Sequence, residues 1–164
     1  MATPVSAPKT LGIDLDSYTT AAAHELGEIC FGKNGKIFRY VQFLDAVTYA
    51  AGQVVTQGTT GTDVWKVTND RAGGSNVAGH SVIGVLVTDG TVPTQNQYGW
   101  VQIAGECTPL GTYAAGDYVI PHATTDGHAV VSAYGVADAA ASKLAMNVFG
   151  KALSSTRVKL TGLV

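Results

Sequence analysis

The residue type best suited to proton transfer or metal binding at neutral pH is histidine, and the chain has four: His24, His80, His122 and His128. His122 and His128 flank the turn Thr124-Thr125-Asp126-Gly127. A hairpin there would bring two imidazoles and the Asp126 carboxylate together, the weakest form of a two-His, one-carboxylate metal set. Exposed histidines beside a turn are the commoner arrangement. Asp14 and Asp16 form a D-x-D pair, but a calcium loop's glycine and terminal acid are missing. Glu25 and Glu28 read as caps or solvated groups. Cys107 follows Glu106, whose negative charge would raise the thiol pKa and leave a poor nucleophile. Trp65 and Trp100 fall in candidate strands and read as packing residues, with a carbohydrate stacking platform as the alternative. No nucleophile elbow, HExxH, Walker loop or GxGxxG occurs. No catalytic residue, cofactor-binding residue or metal ligand is assigned, no cofactor is implied, and the chain reads as something other than an enzyme.

Composition points the same way. Of 164 residues, 46% are hydrophobic and only 13% are charged, against about 25% charged in an ordinary soluble domain. A chain so poor in charge either has an apolar exterior or covers much of it against partners, because interface centres are depleted in Lys, Glu and Asp. Self-association is therefore expected. A net charge of −2 gives no general attraction to nucleic acid. No apolar run is long enough to span a bilayer, and no secretory leader is visible, so neither nucleic acid nor membrane is an expected partner. Charge is unevenly placed. Residues 72–142 lack Lys and Arg but hold Asp89, Glu106, Asp117, Asp126 and Asp138, while the last segment has Lys143, Lys151, Arg157 and Lys159. Such asymmetry orients packing between subunits or is ordinary surface variation. The two cysteines, Cys30 and Cys107, are too few for a disulfide framework and read as reduced thiols, with a bridge between them left open.

The elements that carry these residues are β. Residues 1–26 read as an extended arm: Pro4 and Pro8 favour extended backbone, and Leu11, Ile13 and Leu15 alternate with polar residues, a pattern suited to strand addition on a neighbour's sheet edge. Residues 19–26 are expected to hold a short helical turn. From Gly27 the chain becomes a β-barrel domain, residues 27–164. Ile29-Cys30-Phe31 and Lys36 to Val41 flank Asn34-Gly35, a strong hairpin signal because both residues tolerate positive φ. Further strands are expected over 53–56, 63–68, 82–87, 99–103, 117–121, 129–132, 146–153 and 157–163, with one short helix at 137–144. Thr48-Tyr49-Ala50-Ala51-Gly52 recurs as Thr112-Tyr113-Ala114-Ala115-Gly116, and Val82-Ile83-Gly84 has a counterpart in Val148-Phe149-Gly150. The fold class is all-β: a small barrel or sandwich with an internal pseudo-repeat, two units closing one barrel, and an extended N-terminal arm.

Seven stretches together carry a resemblance. They are Gly27-Glu28-Ile29, Gly35 to Val41, Ala51-Gly52-Gln53-Val54-Val55, Gly84-Val85, Tyr98 to Gly105, Ala115-Gly116-Asp117 and Val148 to Leu153. In this β punctuation the chain resembles the capsid decoration, or cement, proteins of tailed bacteriophages over about residues 27–164. The resemblance implies a virion structural protein, made in the host cytoplasm and carried on the outer capsid surface. It would bind the major capsid protein and itself, commonly as a homotrimer, and clamp capsomers after the head expands. The arm lies outside the matching region, and Leu11, Ile13 and Leu15 are its expected capsid contacts. Tyr98, Trp100, Tyr113 and Tyr118 are the expected subunit contacts. The alternative is a carbohydrate- or receptor-binding module on the phage head or tail, which needs exposed Trp65 and Trp100.

Overall fold

The computed structural model describes residues 13–44, 48–58, 64–70, 81–88, 90–122, 124–132 and 148–161. The expected helix at 137–144 lies outside them. The strands are β1 (Ile29–Phe31), β2 (Ile37–Phe43), β3 (Val54–Gln57), β4 (Lys66–Thr68), β5 (Val82–Val85), β6 (Tyr98–Cys107), β7 (Gly111–Thr112), β8 (Tyr118–Pro121), β9 (Ala129–Val131), β10 (Gly150–Ala152) and β11 (Val158–Thr161). They form one sheet in the order β1-β2-β4-β3-β5-β6-β11-β10-β8-β9-β7. The all-β class is as expected, and among the described residues the one helical element is a 3-10 turn at Lys33–Gly35. Asn34 and Gly35 adopt positive φ there, at 59° and 71°, as the β1–β2 hairpin requires.

One closed barrel is present, but a single repeat unit builds it. β2, β4, β3, β5 and β6 pair in turn, and β6 pairs back onto β2. The seven-residue β2 reaches β6 directly, so five strands close without the second unit. That unit repeats the order as β7-β9-β8-β10-β11. The correspondence holds residue by residue. Val55 faces Gly84 in the first unit and Val119 faces Gly150 in the second. Phe43 lies beside Val67 in a parallel pair, as Gly111 lies beside Ala129. Arg39 faces Val101, as Cys107 faces Val158. The end of β6 and β7 together therefore stand where β2 stands, at one offset of 68 (107 − 39 and 111 − 43). Pro109 then falls at the place of Val41. Proline has no N–H to give a ladder, and the strand breaks there into β6 and β7.

The repeated Tyr-Ala-Ala-Gly segment is the turn that enters β3 and β8. Gly52 (φ 82°) and Gly116 (φ 95°) take the left-handed position. In each copy the following side chain closes the turn. The Ala50 N–H donates to Gln53 Oε1 at 2.9 Å, and the Ala114 N–H donates to Asp117 Oδ2 at 2.7 Å. Each glycine N–H then donates to the V-x-G segment of its own unit, Gly52 to the carbonyl of Leu86, just past β5, at 2.7 Å and Gly116 to the carbonyl of Ala152 in β10 at 2.9 Å.

Three apolar clusters follow from the period-two alternation. Val41, Phe43, Tyr49, Val55, Val67, Val101 and Ile103 fill the first unit. Tyr113, Val119, Phe149, Val158 and Leu160 fill the second, joined by Val54 and Val85 from outward positions of β3 and β5. The third, with Phe38, Tyr40 and Trp100, lies on the outer face of β2 and β6.

Candidate assembly surfaces

On β2 and β6 the face that points away from the barrel carries Phe38, Tyr40, Tyr98 and Trp100 beside Gln42 and Gln102. Such a face needs a cover, and residues 13–26 supply it. Leu15 is buried against it, with Ile13 and Leu26 half-buried at its border. Thr19 and Tyr98 exchange backbone hydrogen bonds at 3.1 and 2.8 Å, and the Ala23 N–H donates to the Tyr40 hydroxyl at 3.0 Å. His24 stands edge-on to Tyr40 and Trp100, each 5.1 Å between ring centres, and meets Glu28 at 3.3 Å. The expected helical turn at 19–26 is replaced by this bridge and a series of bends. Of the expected arm contacts, Ile13 and Leu15 pack on their own body, and Leu11 lies outside the described residues.

The four tyrosine and tryptophan positions expected between subunits divide in two. Trp100 (2% exposed) and Tyr113 (5% exposed) are covered within the chain and have almost no area left for a neighbour. Tyr113 donates to the Pro109 carbonyl at 2.7 Å, anchoring the turn into β8. Trp100 lies under the arm on the outer face of β2 and β6, and Tyr113, just past β7, packs into the core of the second unit. Tyr98 is half-buried, and Tyr118 is 46% exposed with Lys151 beside its ring. Trp65 carries the Arg39 guanidinium 4.2 Å over its ring, and Gly27 sits so close that a Cβ there would fall 2.2 Å from its Nε1. Neither tryptophan presents the open ring that sugar stacking requires.

The remaining groups serve local structure. The His122 N–H donates to the His128 carbonyl at 2.7 Å, and His122 Nδ1 accepts from the N–H groups of Thr124 and Thr125 at 3.2 and 3.0 Å. That imidazole caps the turn. The Asp16 N–H donates to Asp14 Oδ1 at 3.1 Å, so this pair closes an Asx turn. Among the described residues no group of three His, Cys, Asp or Glu side chains lies close enough to hold a metal ion. Cys30 and Cys107 are both free and buried in different clusters. Burial pushes the Cys107 thiol up to about 12, with Lys36 pulling weakly the other way. The direction is the expected one, but burial causes it, not Glu106. Glu106 instead pairs with Arg157 at 3.2 Å and lies opposite Lys159, so the basic end of the chain meets the acidic middle within one molecule. A cleft of about 560 Å³ runs beside this pair, lined by Asn34, Lys36, Thr88, Gln102 and Thr108 among others.

The exterior has a different character. Phe31 is 69% exposed and Val64 50%, and Ile29, Val131 and Leu153 lie near 40%. Ile29 and Phe31 occupy one face of β1, which ends the sheet. The sequence marked both only as hairpin residues. Their alternation was visible, but that β1 has no outer neighbour among the described residues was not. Comparison with known proteins returns no matching family model, no matching curated protein and no matching solved structure.

Proposed function

We propose that this chain is an assembling structural protein, a capsid decoration protein that binds the outer surface of an expanded phage head and ties neighbouring capsomers together as a homotrimer. The observation that carries this reading is an exterior with large apolar side chains, Phe31, Val64 and Tyr118 foremost, on a chain only 13% charged. Isolated soluble domains keep such groups few and scatter charge among them. The β punctuation that resembles decoration proteins supplies the capsid as the partner. A protein that binds only the expanded lattice stabilises that lattice by mass action, and three copies held together multiply modest contacts by avidity. Tyr118 and Tyr98 supply subunit contact area in this reading, and the arm contributes through the residues that precede Ile13.

The test adds purified protein to undecorated proheads and expanded heads of its own phage and measures co-sedimentation. Saturable binding to expanded heads with little binding to proheads supports the reading. Equal binding to both, or to neither, overturns it.

A further inference from the structure

The outer edge of β1 has no partner strand among the described residues. Within the β1–β2 ladder the Glu28 carbonyl accepts from the Tyr40 N–H at 2.9 Å, and the Gly32 N–H donates to the Lys36 carbonyl at 2.8 Å. Cys30 faces Phe38 between them. Backbone groups alternate direction along a strand. The N–H and C=O groups of Ile29 and Phe31 therefore point away from β2, where β1 has no neighbouring strand among the described residues. The side chains of the same two residues are the exposed ones, at 40% and 69%. The Phe31 carbonyl accepts only a long contact from Cys30 Sγ at 4.0 Å, and backbone without a ladder partner beside exposed apolar side chains is the combination that recruits another strand.

We infer that β1 pairs antiparallel with β1 of a second copy across a two-fold axis centred on Cys30. The strand is self-complementary in that orientation. Ile29 faces Phe31 of the partner subunit, so apolar meets apolar, and the outward N–H and C=O groups of each pair satisfy one another. Charge selects the same orientation. Glu25 and Glu28 precede the strand, and Lys33 and Lys36 follow it. Antiparallel pairing sets the acidic end of one copy beside the basic end of the other, whereas parallel pairing sets like beside like. The contact is isologous, so it closes on two copies and does not propagate into a fibre. A three-residue edge buries far less than the area of a permanent dimer. The contact therefore acts between copies already held close or highly concentrated. It does not rest on the capsid reading: a chain that never met a shell would pair the same way.

Register makes the test sharp. Ile29 and the partner's Phe31 would be a hydrogen-bonded pair with Cα atoms about 5.5 Å apart, within disulfide range. Ile29 and its own symmetry mate would be staggered by two residues and out of range. Ile29→Cys and Phe31→Cys proteins, each also carrying Cys30→Ala so that the native thiol on the axis cannot cross-link, are prepared separately, mixed at high concentration under mild oxidant, and run on non-reducing gels. At least ten-fold more covalent two-chain product in the mixture than in either protein alone supports the pairing. Equal product in mixture and single variants, or none above wild type, overturns it. Phe31→Glu is the second variant, checked for wild-type near-ultraviolet circular dichroism. Loss of the concentration-dependent mass increase in light scattering supports the pairing, and an unchanged mass curve overturns it. Capsid binding plays no part in either readout, so failure here is distinguishable from failure of the decoration reading.

Discussion

Gly84 and Gly150 hold the same place in the two units, each opposite a fully buried valine and each pressed against the strand that follows it. A Cβ on Gly84 would lie 2.8 Å from the Val101 side chain and 2.9 Å from the Gln102 carbonyl oxygen. On Gly150 it would lie 2.5 Å from the Val158 side chain and 2.8 Å from the Lys159 carbonyl oxygen. Overpacking of this kind costs about 1–3 kcal/mol. Denaturant melts are expected to show Gly84→Ala and Gly150→Ala both destabilised in that range, Gly150→Ala the more so. Gly116→Ala is the contrast. It has open space around the site and a φ of 95°, so left-handed strain alone should cost about 1–2 kcal/mol.

The paired turns predict unequal losses. Gln53 is buried, and its Oε1 accepts from both the Ala50 N–H and Asn69 Nδ2, the latter at 2.7 Å. Asp117 accepts at an exposed turn. Removing a buried acceptor strands its donors, at about 1–3 kcal/mol, whereas an exposed turn bond is replaced by water. Gln53→Ala should therefore lower stability by about 2 kcal/mol and Asp117→Ala by less than about 1 kcal/mol, read from urea midpoints at constant slope.

Leu15 tests the arm. At 3% exposure it covers the Phe38–Tyr40–Trp100 face, and truncation of a buried leucine costs about 2–5 kcal/mol. Leu15→Ala is expected to destabilise the chain by about 2–3 kcal/mol and to raise binding of a hydrophobic dye. An unchanged melt would mean that the arm does not hold the body together.

Cys107 predicts an alkaline limit. Its folded pKa is raised to about 12 from an ordinary value of 9.0. Above pH 9 the unfolded thiol loses its proton while the folded one keeps it, so the unfolded state binds fewer protons and stability falls as pH rises. The loss is full-strength stability below pH 9 declining by about 1.4 kcal/mol for each pH unit up to about 12. Burial raises Tyr113 as well, in the same direction. Cys107→Ala should flatten the slope between pH 9 and 10, before tyrosine contributes.

Much of the fold was legible because its signals are local. Asn34-Gly35 announces a hairpin through the φ values those two residues tolerate. The repeated Tyr-Ala-Ala-Gly announces the same turn twice, and V-x-G marks the strand that pairs with the one this turn enters. Strand ends were less legible: the strand expected over 63–68 is reduced to Lys66–Thr68, and β7, only Gly111–Thr112, has no sequence pattern at all. The candidate site was least legible. Trp100 and Tyr98 belong to one strand and one residue class, yet one is buried and the other half-open, according to how the arm lies across them.

Residue order by itself determined the β class and the doubling of a turn-and-strand unit, because turn geometry and alternation act over a few neighbouring residues. Only the tertiary structure decided that the first unit closes alone, that Pro109 splits the strand equivalent to β2, and which aromatics are spent inside. It also decided that Ile29 and Phe31 end the sheet. An edge is defined by the strand that is not beside it, and pairing between residues far apart in the chain settles that, not the residues of the edge.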